Sequence, residues 1–142
     1  MKEKLRVVVD TNVVVSGLLS KKGFPYEIII AWINGSFTPV ISKTLQEEIN
    51  ELFKRDKISK RASYNPKEIK QFLGILFNKA ERFKPSNIDI NILFDVKDLF
   101  LLELACSAKA DVIVTGDTEL LEYADYEGIK FLSPKDFYNR YL

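Results

Sequence analysis

The chain is expected to fold as a mostly parallel α/β sheet covered by helices on both faces. Short β-branched runs alternate with helical patterns along its length, the order that builds βαβ units. The first strand candidate, Leu5 to Val9, is continuously apolar, as a strand buried on both faces is. Four acids, Asp10, Glu48, Asp98 and Asp117, stand where apolar runs end or helical patterns begin. Acids at the exits of buried strands are not explained by solubility alone.

In chain order, Asp10-Thr11-Asn12 ends the first strand, and Asn12 is expected to cap a short helix from Val13. After Gly23 and Pro25, Tyr26 to Ile33 reads as a helix stopping near Asn34-Gly35. Thr38 to Ile41 is a second strand, and Ser42 caps a helix to about Phe53. Lys54 to Ser63 is polar and basic, a helix end or loop. Asn65 caps an amphipathic helix that Pro85 ends by about Phe83. A third strand is expected within residues 87–94. Leu99 to Lys109 is a helix, Asp111 to Thr115 a strand, and a short helix follows Asp117. Lys130 to Leu132 is the last strand, and Ser133-Pro134 opens a terminal helix with proline at its first position.

The 142 residues suit one domain spanning 1–142, with no repeat, linker or low-complexity tract. A net charge of +1 from 21 basic and 20 acidic side chains does not announce a polyanionic partner, so any such contact must be local. The N-terminus lacks the apolar core of a signal peptide, and no apolar run approaches the roughly 20 residues of a membrane span. The single cysteine, Cys106, cannot form an internal disulfide and reads as a small core residue; a cytoplasmic setting is expected. Histidine is absent. That excludes Ser–His and Cys–His nucleophilic machinery and any zinc site with a histidine ligand. Chemistry here must rest on carboxylates, hydroxyls, lysine or a metal.

In an open parallel sheet, ligands sit beyond the carboxyl ends of the strands. Asp10 and Asp117 follow strands directly and point to that edge. Asp117 serves equally well as a helix cap. With Asn12 available as the cap, Asp10 is free for a functional role. At about 100° per residue, Leu45, Ile49, Leu52 and Phe53 define a buried helix face. Glu47 and Glu51 lie opposite it and Glu48 at its border, suited to the sheet edge or to a surface ion pair. Asp95 fits an N-cap, which leaves Asp98 in the first turn and better placed to face inward. Four carboxylates in one cleft repel unless a divalent cation neutralises them, and oxygen-only ligation suits Mg²⁺ or Mn²⁺.

The segments Val-Val-Val-Asp10-Thr-Asn12-Val, Ile-Ser42-Lys-Thr-Leu-Gln-Glu-Glu48-Ile, Asp95-Val-Lys-Asp98-Leu-Phe-Leu-Leu-Glu-Leu-Ala105 and Ala-Asp-Val-Ile-Val-Thr115-Gly-Asp117 together resemble the PIN-domain nucleases over essentially the whole chain. Within them the chain is most similar to VapC-like toxin components of toxin–antitoxin pairs. The resemblance implies a three-layer α/β/α sandwich with a parallel sheet of about five strands, order 3-2-1-4-5. It implies a Mg²⁺- or Mn²⁺-dependent ribonuclease whose metal-binding, catalytic acids fall on Asp10, Glu48, Asp98 and Asp117. Asn12, Thr115 and Asp95 are then supporting polar residues. Leu99 stands where relatives often carry a small polar residue, which bears on Asp95 against Asp98; the spacing to Ala105 favours Asp98. Metal-activated water would attack the phosphodiester in line, leaving a 5′-phosphate and a 3′-hydroxyl. RNA, a cognate antitoxin and a second copy in a homodimer are the implied partners.

Phosphate contacts should come from the densest basic stretch, with Lys54, Arg55, Lys57, Lys60 and Arg61 as RNA-binding candidates. Lys21 and Lys22 are a second candidate, also readable as solubilising surface. Tyr64 is the aromatic considered for base stacking. Two other classes compete with this reading. A phospho-aspartate phosphatase wants an acid two positions after the first, where Asn12 stands, and a receiver wants paired early acids that are missing. An RNA-binding or processing PIN protein outside any toxin–antitoxin system keeps the fold without the toxin role.

Overall fold

The computed structural model describes residues 4–55, 64–88 and 96–142. Along them run β1 (Arg6–Val9), α1 (Thr11–Leu19), α2 (Phe24–Asn34), β2 (Thr38–Ile41), α3 (Lys43–Lys54), α4 (Pro66–Lys79) and β3 (Glu81–Arg82). The second half holds α5 (Val96–Ala108), β4 (Val112–Val114), α6 (Thr118–Leu121), β5 (Asp125–Tyr126), β6 (Ile129–Leu132) and α7 (Pro134–Tyr141). The sheet order is β3-β2-β1-β4-β6-β5. All neighbours pair in parallel except β5 with β6. Set aside the two-residue β5, and the five parallel strands follow the expected 3-2-1-4-5 order.

The central strands are β-branched because both of their faces are covered. Val7, Val8, Ile113 and Val114 have no measurable exposure. Helix α5 packs on β1, β2 and β4, while α2 packs on α1, α4 and α7. This is a three-layer α/β/α sandwich. Trp32 fills the α2 side and its indole Nε1 donates to the Leu76 carbonyl at 3.0 Å, so burial leaves no orphan donor. Among the described residues no helix is long and apolar enough to cross a membrane.

Local chemistry sets most boundaries. The Ser42 and Ser133 hydroxyls accept from Leu45 and Asp136 amides at 3.1 Å each. Asn65 and Glu68 form a reciprocal capping box, with bonds of 2.9 and 3.2 Å. Gly35 ends α2 at φ 74°, a left-handed position that glycine adopts without strain.

Two expectations are corrected, and two short strands were not anticipated. Helix α1 begins at Thr11, so Asp10 holds the N-cap position and Asn12 is an exposed residue of the first turn. The chain turns directly from strand to helix, leaving no room for a later cap. Helix α4 ends at Lys79, before Pro85 can act; a strand that was not expected lies at Glu81–Arg82, and of the strand expected within 87–94 the described residues Asn87 and Ile88 lie outside any strand. The rest of the expected strand, 89–94, lies outside the described residues. An exposed, charged pair on a sheet edge guards against edge-to-edge association but reads like helix surface in sequence. Finally, β5 was not anticipated. Glu127 and Gly128 both have positive φ, 48° and 85°, and form a two-residue hairpin loop of the type that twists with its strands.

Candidate active site at the carboxyl edge

From β1 the chain builds outward through β2 to β3, and from β4 it builds the other way to β6. The order therefore reverses between β1 and β4, and the crevice of a doubly wound sheet opens there. Val9 is in register with Val114, which sets Asp10 beside Thr115 at that point. The Asp10 amide continues the ladder, donating to the Val114 carbonyl at 2.9 Å.

Asp10 is 8% exposed and Thr115 is fully buried. The Thr115 hydroxyl donates to Asp10 Oδ2 at 2.8 Å and accepts the Asp117 amide at 3.0 Å. One hydroxyl thus orients a carboxylate and fixes the turn that carries the next acid. Asp117 itself accepts the Glu119 amide at 2.9 Å as N-cap of α6. Its capping role is realised, and its other oxygen still belongs to the same edge. Although Asp10 stands at the N-cap of α1, its side chain does not cap that helix.

Helix α5 reaches this edge from the opposite direction. Its last residue Ala108 lies at the amino edge, where the Arg6 Nη1 donates to the Ala108 carbonyl at 3.1 Å. Asp98, ten residues earlier, is therefore roughly 15 Å along the axis, a distance that spans the strands. It is 8% exposed, in the first turn of α5. Glu48 is half-buried in α3, which starts at the carboxyl end of β2 and packs on α1. Both acids thus hang from elements that begin at the carboxyl edge.

The donor chemistry fits a hard divalent cation: the candidates offer oxygen alone, and two of them are nine-tenths buried. Thr11, beside Asp10, adds a hydroxyl oxygen that is buried with no hydrogen-bond partner among the described residues. No group of three or more acids among the described residues is arranged to hold an ion by itself. Mg²⁺ commonly takes one or two carboxylates and completes its shell with waters and substrate phosphates. Asp10 and Asp98 are the two buried candidates among the four.

Two buried polar residues were missed in the sequence. Thr11 was passed over as part of a turn. Glu103 is 8% exposed in α5; an acid inside Leu-Phe-Leu-Leu-Glu-Leu-Ala was the available signal. Of the basic candidates, Lys54 and Arg55 are exposed at the end of α3, and Lys54 pairs with Glu51 at 3.2 Å. Lys57, Lys60, Arg61 and Asp95 lie outside the described residues. The Tyr64 ring meets the Lys21 ammonium at 4.7 Å from its centroid and the Phe72 ring at 4.7 Å. The ring is engaged by both neighbours. Burial, with smaller contributions from Tyr26 and Glu68, holds the Tyr64 phenol above its ordinary pKa.

Comparisons with known proteins bear on this geometry. The chain is 27% identical over 144 residues to uncharacterized protein MJ1680 of Methanocaldococcus jannaschii, covering 96% of this chain and 91% of that one. The crystal structure of VapBC2 from Rickettsia felis, bound to a DNA fragment from their promoter, contains a chain that superposes with a TM-score of 0.57. Coverage is 91% of this chain and 98% of that one, and at 14% identity the likeness is one of fold. The sequence pattern of the PIN domain matches residues 6–119, a stretch that contains Asp10, Glu48, Asp98, Thr115 and Asp117. The chain belongs to the PIN-domain family.

Proposed function

We propose that the protein is a Mg²⁺- or Mn²⁺-dependent endoribonuclease. The observation that carries this is a buried aspartate, Asp10, bonded to a buried threonine at the switch point of the sheet. PIN domains are generally nucleases, and a carboxylate there has no need of histidine. Asp10, Glu48, Asp98 and Asp117 would hold the cation, and Thr115 would orient Asp10. When bound, a divalent cation lowers the pKa of water and offsets charge on the phosphodiester. The protein's own part is positional. Asp10 is held by one hydrogen bond at a defined oxygen, and Asp98 is set on a helix whose far end is tied to Arg6. Products with a 5′-phosphate and a 3′-hydroxyl are expected.

We further propose that the chain is the VapC-like toxin of a toxin–antitoxin pair, cytoplasmic and homodimeric, with a cognate antitoxin as partner. The fold likeness to a chain of VapBC2 supports this reading. The test is cleavage of mixed single-stranded RNA with Mn²⁺ by wild type, Asp10→Asn and Asp98→Asn. Cleavage by wild type alone is expected. Equal cleavage by all three would remove the catalytic assignment. RNA binding by wild type with no cleavage would favour a binding module.

A further inference from the structure

The α1–α2 connection, residues 20–23, is built rather than slack. The Lys22 amide donates to the Ser20 hydroxyl at 3.3 Å. Gly23 adopts φ 96°, where a side chain would be strained. A Cβ at Gly17 would stand 2.5 Å from Ile29 Cγ1 and 2.8 Å from the Pro25 carbonyl oxygen, so α1 and α2 touch backbone to backbone just before the loop. The Lys21 ammonium lies over the Tyr64 ring, which is braced on Phe72 of α4.

The direction of α2 tells where this loop sits. Gly35, at the end of α2, packs near Lys4, just before β1, at the amino edge of the sheet. Helix α4 runs alongside, joined to α2 through the Trp32–Leu76 bond near their final turns. The Lys21–Tyr64 contact joins their opposite ends, on the side of the carboxyl edge. Lys21 is committed to Tyr64. Lys22 is exposed, and its side chain has no acidic partner among the described residues.

We propose that this loop is a phosphate grip for single-stranded RNA, with Lys22 contacting a backbone phosphate and the Lys21–Tyr64 contact positioning the loop. The inference rests on the ribonuclease reading and deepens it. A cluster of acids repels a phosphodiester, so a cation fixed in advance near the same edge lowers the ordering cost of bringing the two together. The distinction from a solubilising surface is the restraint: a lysine kept for solubility needs no glycine turn, hydroxyl bond or aromatic brace around it.

The experiment is RNA binding by fluorescence anisotropy in EDTA, using a labelled single-stranded oligonucleotide across a salt series. Lys22→Met should reduce the slope of log K against log salt by about 0.7, the value for one phosphate contact on a single strand. Tyr64→Leu should weaken binding several-fold and Tyr64→Phe should not, because the ring and not the hydroxyl holds Lys21. Lys130→Met, on β6 toward the amino edge, should match wild type. An unchanged slope in Lys22→Met, or no RNA binding by wild type, overturns the grip. The nuclease reading fails separately, if wild type cleaves no RNA in Mn²⁺.

Discussion

At the amino edge of the sheet, Arg6 joins three elements. Its guanidinium donates to the Ala108 carbonyl at 3.1 Å, pairs with Glu81 at 3.2 Å and lies 5.6 Å from the Phe83 ring centre. Its backbone amide donates to Asp111 Oδ2 at 2.9 Å. At the carboxyl edge the Thr115 hydroxyl instead ties the buried Asp10 carboxylate to the backbone turn that carries Asp117. Opposite charges matched between elements stabilise a fold; the buried acids Asp10 and Asp98 are, on the function proposed above, kept for a cation that arrives later. Lys4, Arg6, Glu81, Lys109 and Asp111 line a cavity of about 620 Å³ at the amino edge. What marks the carboxyl edge is strand topology and the burial of Asp10 with Thr115.

Breaking each edge should give opposite signatures. The largest effect is expected from Asp10→Asn, which keeps an oxygen to accept from Thr115 but removes the charge. Cleavage should fall by more than roughly 100-fold while the circular dichroism spectrum stays that of wild type. Thr115→Val should lower cleavage by about 10- to 100-fold, as loss of a residue orienting a ligand does. It should also cost roughly 1 kcal/mol in urea unfolding, since Asp10 and the Asp117 amide both lose a partner. Arg6→Met is the converse case. Its partners are half-exposed, so about 1 kcal/mol of stability should be lost, with cleavage per folded molecule unchanged. A large loss of activity there would erase the contrast between the edges.

The smallest effect concerns Cys106. Burial, and to a lesser degree Glu127, pushes its thiol pKa up. A raised pKa means less thiolate at any pH below it, so alkylation at pH 8 should run slower than for a free thiol. Cys106→Ser should leave cleavage as it is.

How far these edges could be read in sequence depended on the kind of signal. Ser42, Asn65 and Ser133 were legible as caps because a short polar side chain before a helical pattern has one dominant use. The central strands β1 and β4 were legible because burial on both faces demands unbroken β-branched runs. The two-residue edges, Glu81–Arg82 and Asp125–Tyr126, were not, because strands so short carry no periodicity and are fixed by their neighbours. At the site, Asp10 was singled out on the expectation that Asn12 would cap α1. The cap position belongs to Asp10 itself, and what distinguishes Asp10 is burial and its bond to Thr115. Thr11 was hidden because a threonine after a strand reads as a turn, whereas the apolar run around Glu103 was a usable signal.

On the function proposed above, the carboxyl-edge acids form a divalent-cation site in the folded protein. The most direct measurement is the melting temperature in a Mn²⁺ titration, for wild type and for Asp10→Asn and Asp98→Asn. A cation that binds only the folded state raises stability with its concentration. A progressive rise is expected for wild type and a much smaller one for each variant. A wild-type melting temperature that does not move, or the same rise in all three proteins, would contradict it.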